Sequence, residues 1–155
     1  MNGEPLLRED FKPTTDILMV KKPDIVSGSV YYFETKSNLT YQVTFGKKKN
    51  NYLGNILNFS VLSDDFEDEY SETNRGEVYS IISTLIYIVN LYHTYHPYSN
   101  SYEFSGEYKE DEDTSSPSIR TRLYVKTIHK VVDLTCWDLL LEGNKVILSR
   151  KPRND

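Results

Sequence analysis

Between Ser116 and Lys130 the chain reads SPSIRTRLYVKTIHK, with two arginines, two lysines, a histidine and no acidic residue, in a protein of net charge −5. Arginine forks match phosphate and carboxylate oxygens, so Arg120, Arg122 and Lys126, with no acid beside them in sequence, are candidates for gripping an anion. Tyr124 in the same segment and Tyr102 upstream offer aromatic faces on which a base could stack. Arg120 and Arg122 stand two positions apart, which on a helix turns them in different directions. That spacing suits a protein surface or an extended polymer better than one small anion. A structural reading competes with these. Two acidic stretches, residues 63–73 and 107–114, hold eleven carboxylates between them, and pairing with the basic segment would be worth about 0 to 1 kcal/mol for each exposed pair.

Other chemistry finds weaker footing. His93 and His96 lie one helical turn apart, a spacing open to two metal ligands, but no HExxH motif or Cys/His cluster accompanies them. Both fit the end of a helix, where a positive side chain complements the dipole. The acids of SDDFEDEY lack the spacing and central glycine of a calcium loop. Cys136, beside Trp137 in a predicted strand, has no activating base near it in sequence and reads as a small buried hydrophobe. The glycines of the folded region stand singly, so no phosphate-cradling loop is indicated. No cofactor or metal is expected.

The elements that must position these residues follow from periodicity. VYYFET and LTYQVTF, joined by Ser37-Asn38-Leu39, alternate as a hairpin. After the loop GKKKNN, LGNILNFSVL supplies a third strand, and the apolar piece DILMV an edge strand. Asn74 and Glu77 form a capping-box pair, and Val78, Ile81, Ile82, Leu85, Val89 and Tyr92 recur at helical spacing until Pro97. The spacing predicts a helix over 75–96, and Ile86 and Ile88 broaden its apolar face enough to imply cover on more than one side. SYEFSGEY reads as a fourth strand with Tyr102 and Phe104 inward. Ser116 and Pro117 supply an N-cap and first-turn proline for a second, basic helix over 117–130, with Ile119 and Leu123 on one face and Arg122, Lys126 and Lys130 on another. LTCWDLLLEGNKVILSR closes the fold as a hairpin around Gly143-Asn144.

Composition bounds the whole. The 155 residues, 38% hydrophobic and 13% aromatic, suit one domain over 1–155, with residues 1–14 as a flexible arm and 151–155 as a frayed tail. Thirteen tyrosines against six phenylalanines favour half-wet strands. The acidic balance disfavours a nucleic-acid or anionic-membrane partner. A single cysteine and a polar start, MNGEPLLREDFKP, point to the cytoplasm, and the longest apolar run, ISTLIYIVNLY, is too short to span a bilayer.

Thr73-Asn74-Arg75-Gly76-Glu77-Val78, Tyr102-Glu103-Phe104-Ser105-Gly106 and Arg120-Thr121-Arg122-Leu123-Tyr124 together resemble an uncharacterised family of short bacterial proteins. The resemblance covers about residues 30 to 130 and implies a β-meander, a long central helix and an Arg-Thr-Arg-Leu-Tyr segment opening the next helix. It draws attention to Arg120, Arg122 and Tyr124 without implying a reaction. This chain departs from the family in an acidic insertion from Glu107 to Ser118. A similar order of elements occurs in small phage-encoded and mobile-element proteins, so the resemblance also implies an accessory role, such as one half of a toxin–antitoxin pair.

The expected fold is α+β: an antiparallel sheet of about five to seven strands under one long amphipathic helix and a shorter basic helix sharing one face. The expected function is non-enzymatic, a module that binds a protein partner or self-associates. The alternative is a nucleotide or single-strand binding protein or enzyme that holds phosphate with Arg120 and Arg122.

Overall fold

The computed structural model describes residues 5–8, 18, 20–25, 28–35, 40–61, 75–105 and 115–152. Its architecture is α+β. Seven strands form one sheet: β1 (Val20–Lys21), β2 (Val30–Glu34), β3 (Thr40–Lys48), β4 (Asn51–Val61), β5 (Ser101–Ser105), β6 (Trp137–Glu142) and β7 (Lys145–Arg150), in the order β1-β2-β3-β4-β5-β7-β6. Helix α1 (Arg75–Tyr95) joins β4 to β5, and α2 (Ile119–Val131) joins β5 to β6.

Alternation sets the register of the first hairpins. Tyr31 and Phe33 of β2 lie opposite Val43 and Tyr41 of β3, while Val43 and Phe45 lie opposite Phe59 and Leu57 of β4. A slip of one residue would turn this whole set out to water, so burial fixes the pairing. The lysine-rich stretch expected as a loop is instead mostly strand: β3 runs to Lys48, Lys48 pairs with Asn51, and a register shift falls between Lys47 and Lys48. The β6–β7 hairpin turns at Gly143-Asn144 as expected, and Gly143 takes a φ of 62°, a conformation that glycine adopts without a Cβ penalty.

One pairing departs from the expected antiparallel sheet. β5 lies parallel to β4, with Gly54, Asn55 and Ile56 opposite Ser101, Tyr102 and Glu103. A parallel neighbour needs a long crossover, and α1 supplies it. The sheet is therefore mixed.

Both helices pack on the same face. Phe45, Phe59, Tyr102 and Phe104 point to that face. Phe45 stacks on Tyr92 of α1 with centroids 4.0 Å apart, and Phe59 and Phe104 meet Tyr124 of α2 edge-on at 6.1 and 5.0 Å. Ile86 and Ile88 are buried in this core. Cover for α1 comes from within the chain, since α1 contacts α2 and Thr84 accepts a hydrogen bond from the backbone N–H of Leu18 at 2.9 Å. Among the described residues no helix is long and apolar enough to cross a membrane.

The N-terminal residues depart from a flexible arm over the stretch described. Leu6 is buried in the core, Leu7 forms a bridge with Val132, and the Trp137 indole donates to the Pro5 carbonyl at 3.0 Å. Of DILMV, Val20 enters β1; Asp16, Ile17 and Met19 lie outside the described residues, as do the Asn74 cap and the two acidic stretches.

Candidate interaction surface

Helix α2 begins two residues later than the sequence predicts, at Ile119. Its N-cap is Ser118, whose Oγ accepts from the Thr121 N–H at 3.1 Å. The reason lies outside the helix. The Ser118 N–H donates to Asn144 Oδ1 at 2.8 Å, and the Thr121 hydroxyl donates to the Asn144 carbonyl at 3.4 Å, so the turn of the final hairpin fixes where α2 starts. At the other end the Arg8 guanidinium donates to the carbonyls of His129 (2.9 Å) and Val132 (3.3 Å). A cation bonded to the last carbonyls of a helix also complements its dipole.

This anchoring sorts the side chains of α2 into two sets. Thr121, Tyr124, Ile128 and Val131 are buried, and Arg122, Lys126, His129 and Lys130 are exposed. The exposed four follow spacings of four, three and one, which place them along one side of the helix. Among the described residues no carboxylate forms an ion pair with any of them; the described ion pairs are Glu103 with Lys48 and Lys145, and Asp138 with Lys151. The two acidic stretches, 63–73 and 107–114, lie outside the described residues. The Arg120 backbone is in the first turn of α2, and its side chain is likewise outside what is described.

The two tyrosines proposed to share a site with these cations are placed elsewhere. Tyr124 lies in the core between Phe59 and Phe104. Two residues along a helix turn the direction by about 200°, so a chain that exposes Arg122 must bury Tyr124. Tyr102 is also fully buried, as its inward reading on β5 requires, and its hydroxyl lies 2.6 Å from Nδ1 of His93. Burial pushes the Tyr102 phenol far above its ordinary pKa. Thus the structure groups Arg122 with Lys126 and groups neither Tyr102 nor Tyr124 with them.

Sequence reading missed a polar aromatic cluster where α1 ends. His93 sits edge-on to Trp137 at 5.3 Å. Arg150 covers that indole at 5.5 Å and donates to the carbonyls of Pro97 (2.6 Å) and Ser99 (3.0 Å). Beside it, the Tyr92 hydroxyl donates to Asn55 Oδ1 at 2.9 Å, and His96 Nδ1 donates to the Tyr92 carbonyl at 2.9 Å. His93 and His96 thus take separate partners. The cluster is closed to substrates, since His93 and Tyr102 are buried, and its bonds close off the carbonyls that follow α1. Cys136 also departs from its predicted strand position: it lies in the turn before β6, with Sγ 3.6 Å from Asp133 Oδ2. The Thr135 hydroxyl, bonded to the same carboxylate at 2.6 Å, holds Asp133 below its usual pKa.

No protein-family model matches the chain, and the search of curated proteins found no relative.

Proposed function

We propose that the protein is an interaction module that docks on an acidic surface of a protein partner through the exposed row of α2. The observation that carries this reading is the alignment of Arg122, Lys126, His129 and Lys130 on one side of the helix, none of them paired to a described carboxylate. Three permanent cations in a row raise the local potential in a molecule whose total charge is negative. Such a row steers an acidic partner and orients it. Docking of this kind needs only the cations, whereas the two tyrosines expected to stack on bases beside them, Tyr102 and Tyr124, are both in the core.

The test compares labelled polyglutamate with single-stranded oligothymidine as probes, against the wild-type chain and the variant R122E/K126E/K130E. Polyglutamate is expected to bind the wild type more tightly than oligothymidine does, to weaken as salt rises, and to lose affinity on the order of tenfold in the variant. Failure to bind polyglutamate, or binding unchanged by the triple substitution, overturns the reading. A preference for oligothymidine with a steep salt dependence would reassign the row to phosphate.

A further inference from the structure

The sheet ends at β6, and among the described residues no strand pairs with its outer edge. The geometry of the hairpin says which backbone groups face outward. Glu142 and Lys145 close a two-residue turn, and the closing pair of such a hairpin exchanges both hydrogen bonds, so bonding to β7 recurs at every second residue. The residues between, Leu139 and Leu141, aim their N–H and C=O groups at the free edge.

The side chains along this edge are unusual for a solvated strand. Leu140 is 54% exposed and Leu141 41% exposed, on opposite faces of the strand. Edges of this kind are normally blunted by lysine, proline or a bulge. None of these occurs between Asp138 and Glu142. What flanks the leucines is negative: Asp138 and Glu142 are both exposed and lie on the same face as Leu140. Each carboxylate has a lysine on its β7 side: Lys151 is 3.8 Å from Asp138, and Lys145, which lies opposite Glu142, is 4.0 Å from Glu103; exposed pairs of this kind screen weakly and leave the outer side of both carboxylates open to a further cation.

This charge pattern selects the occupant. Two copies pairing their β6 strands in the register that sets Leu140 on Leu140 would place Asp138 of each opposite Glu142 of the other, and like charges directly opposite destabilise a ladder. A strand with lysine or arginine at those two positions gains where a second copy loses. We infer that the β6 edge accepts an extended segment of a partner protein by strand addition, with an apolar residue opposite Leu140 and basic residues opposite Asp138 and Glu142. Backbone bonds to Leu139 and Leu141 supply the affinity, and the two carboxylates supply the selection. Because the carboxylates are symmetric about Leu140, one spacing of basic residues serves either strand direction. The surface lies on a different element from α2 and carries the opposite charge, so it stands independently of the α2 reading.

The experiment titrates the full chain with the capped peptide Thr-Lys-Val-Val-Val-Lys-Thr and with its counterpart carrying glutamate in place of both lysines, reading affinity and amide hydrogen exchange. The lysine peptide is expected to bind on the order of tenfold more tightly than the glutamate peptide and to slow exchange at Leu139 and Leu141. The variant D138K/E142K should invert that preference. L141P should abolish binding, since the N–H it removes faces outward and not β7; should L141P fail to fold, the charge inversion decides alone. The inference is overturned if neither peptide binds, if the two bind equally, or if the same amides are protected without peptide in a protein of doubled solution mass, which would give the edge to a second copy.

Discussion

Tyr102 and His93 meet where both are sealed from water, and their 2.6 Å contact decides how much the buried end of α1 can tolerate. A buried polar atom needs a partner, and losing one costs more than the net worth of the bond. Tyr102→Phe keeps the ring and its edge contacts with Phe45 and Tyr92 but removes the hydroxyl from beside the imidazole. The expected loss is about 1–3 kcal/mol. Chemical denaturation of the two proteins checks it, and a difference within about 0.5 kcal/mol, the range of an ordinary surface change, would mean that the contact contributes nothing net.

Among the elements, the stretch Pro5–Arg8 holds β6 to the end of α2. The Arg8 N–H donates to the Val131 carbonyl at 2.9 Å, the Asp133 N–H donates to the Leu6 carbonyl at 2.9 Å, and the Leu6 side chain is 1% exposed. Leu6→Ala should therefore cost about 2–5 kcal/mol as a core truncation does, measured by denaturant midpoint; a cost under about 0.5 kcal/mol would return the segment to the status of an arm. Nothing local to MNGEPLLRED announces this docking, because the partners of Leu6 are more than a hundred residues away in sequence. The same limit explains the other differences. Hairpins β2–β3 and β6–β7 were legible because alternation and turn residues are local signals. The parallel pairing of β4 with β5 depends on where α1 returns the chain, and the shift of the N-cap from Ser116 to Ser118 depends on Asn144. Of the candidate site, the outward row of Arg122, Lys126 and Lys130 was legible from helical spacing. Setting Tyr124 beside Arg122 ignored that same spacing, and Tyr102 already stood on the inward side of its strand.

For the molecule as a whole, the aromatic core ties folding to pH at the alkaline end. Burial raises the Tyr31 phenol to about 12, with Tyr92 and Tyr95 adding to the shift, and raises Tyr102 further still. An unfolded tyrosine ionises near pH 10. A group whose pKa is higher in the folded state gives its full stabilisation below the unfolded pKa and loses it as pH rises toward the folded one. Between about pH 10 and 12 the unfolded chain releases protons that these two residues keep while folded, so each lowers stability by about 1.4 kcal/mol per pH unit. Together they erode stability across that window, and the fold gives way once the loss overtakes its small net stability. Tyrosinate absorbance and far-ultraviolet ellipticity should therefore change together in one cooperative step above pH 10, absent below it. Ionisation of all thirteen tyrosines in a single gradual curve, with the ellipticity intact, would mean that Tyr31 and Tyr102 are reached by water without unfolding.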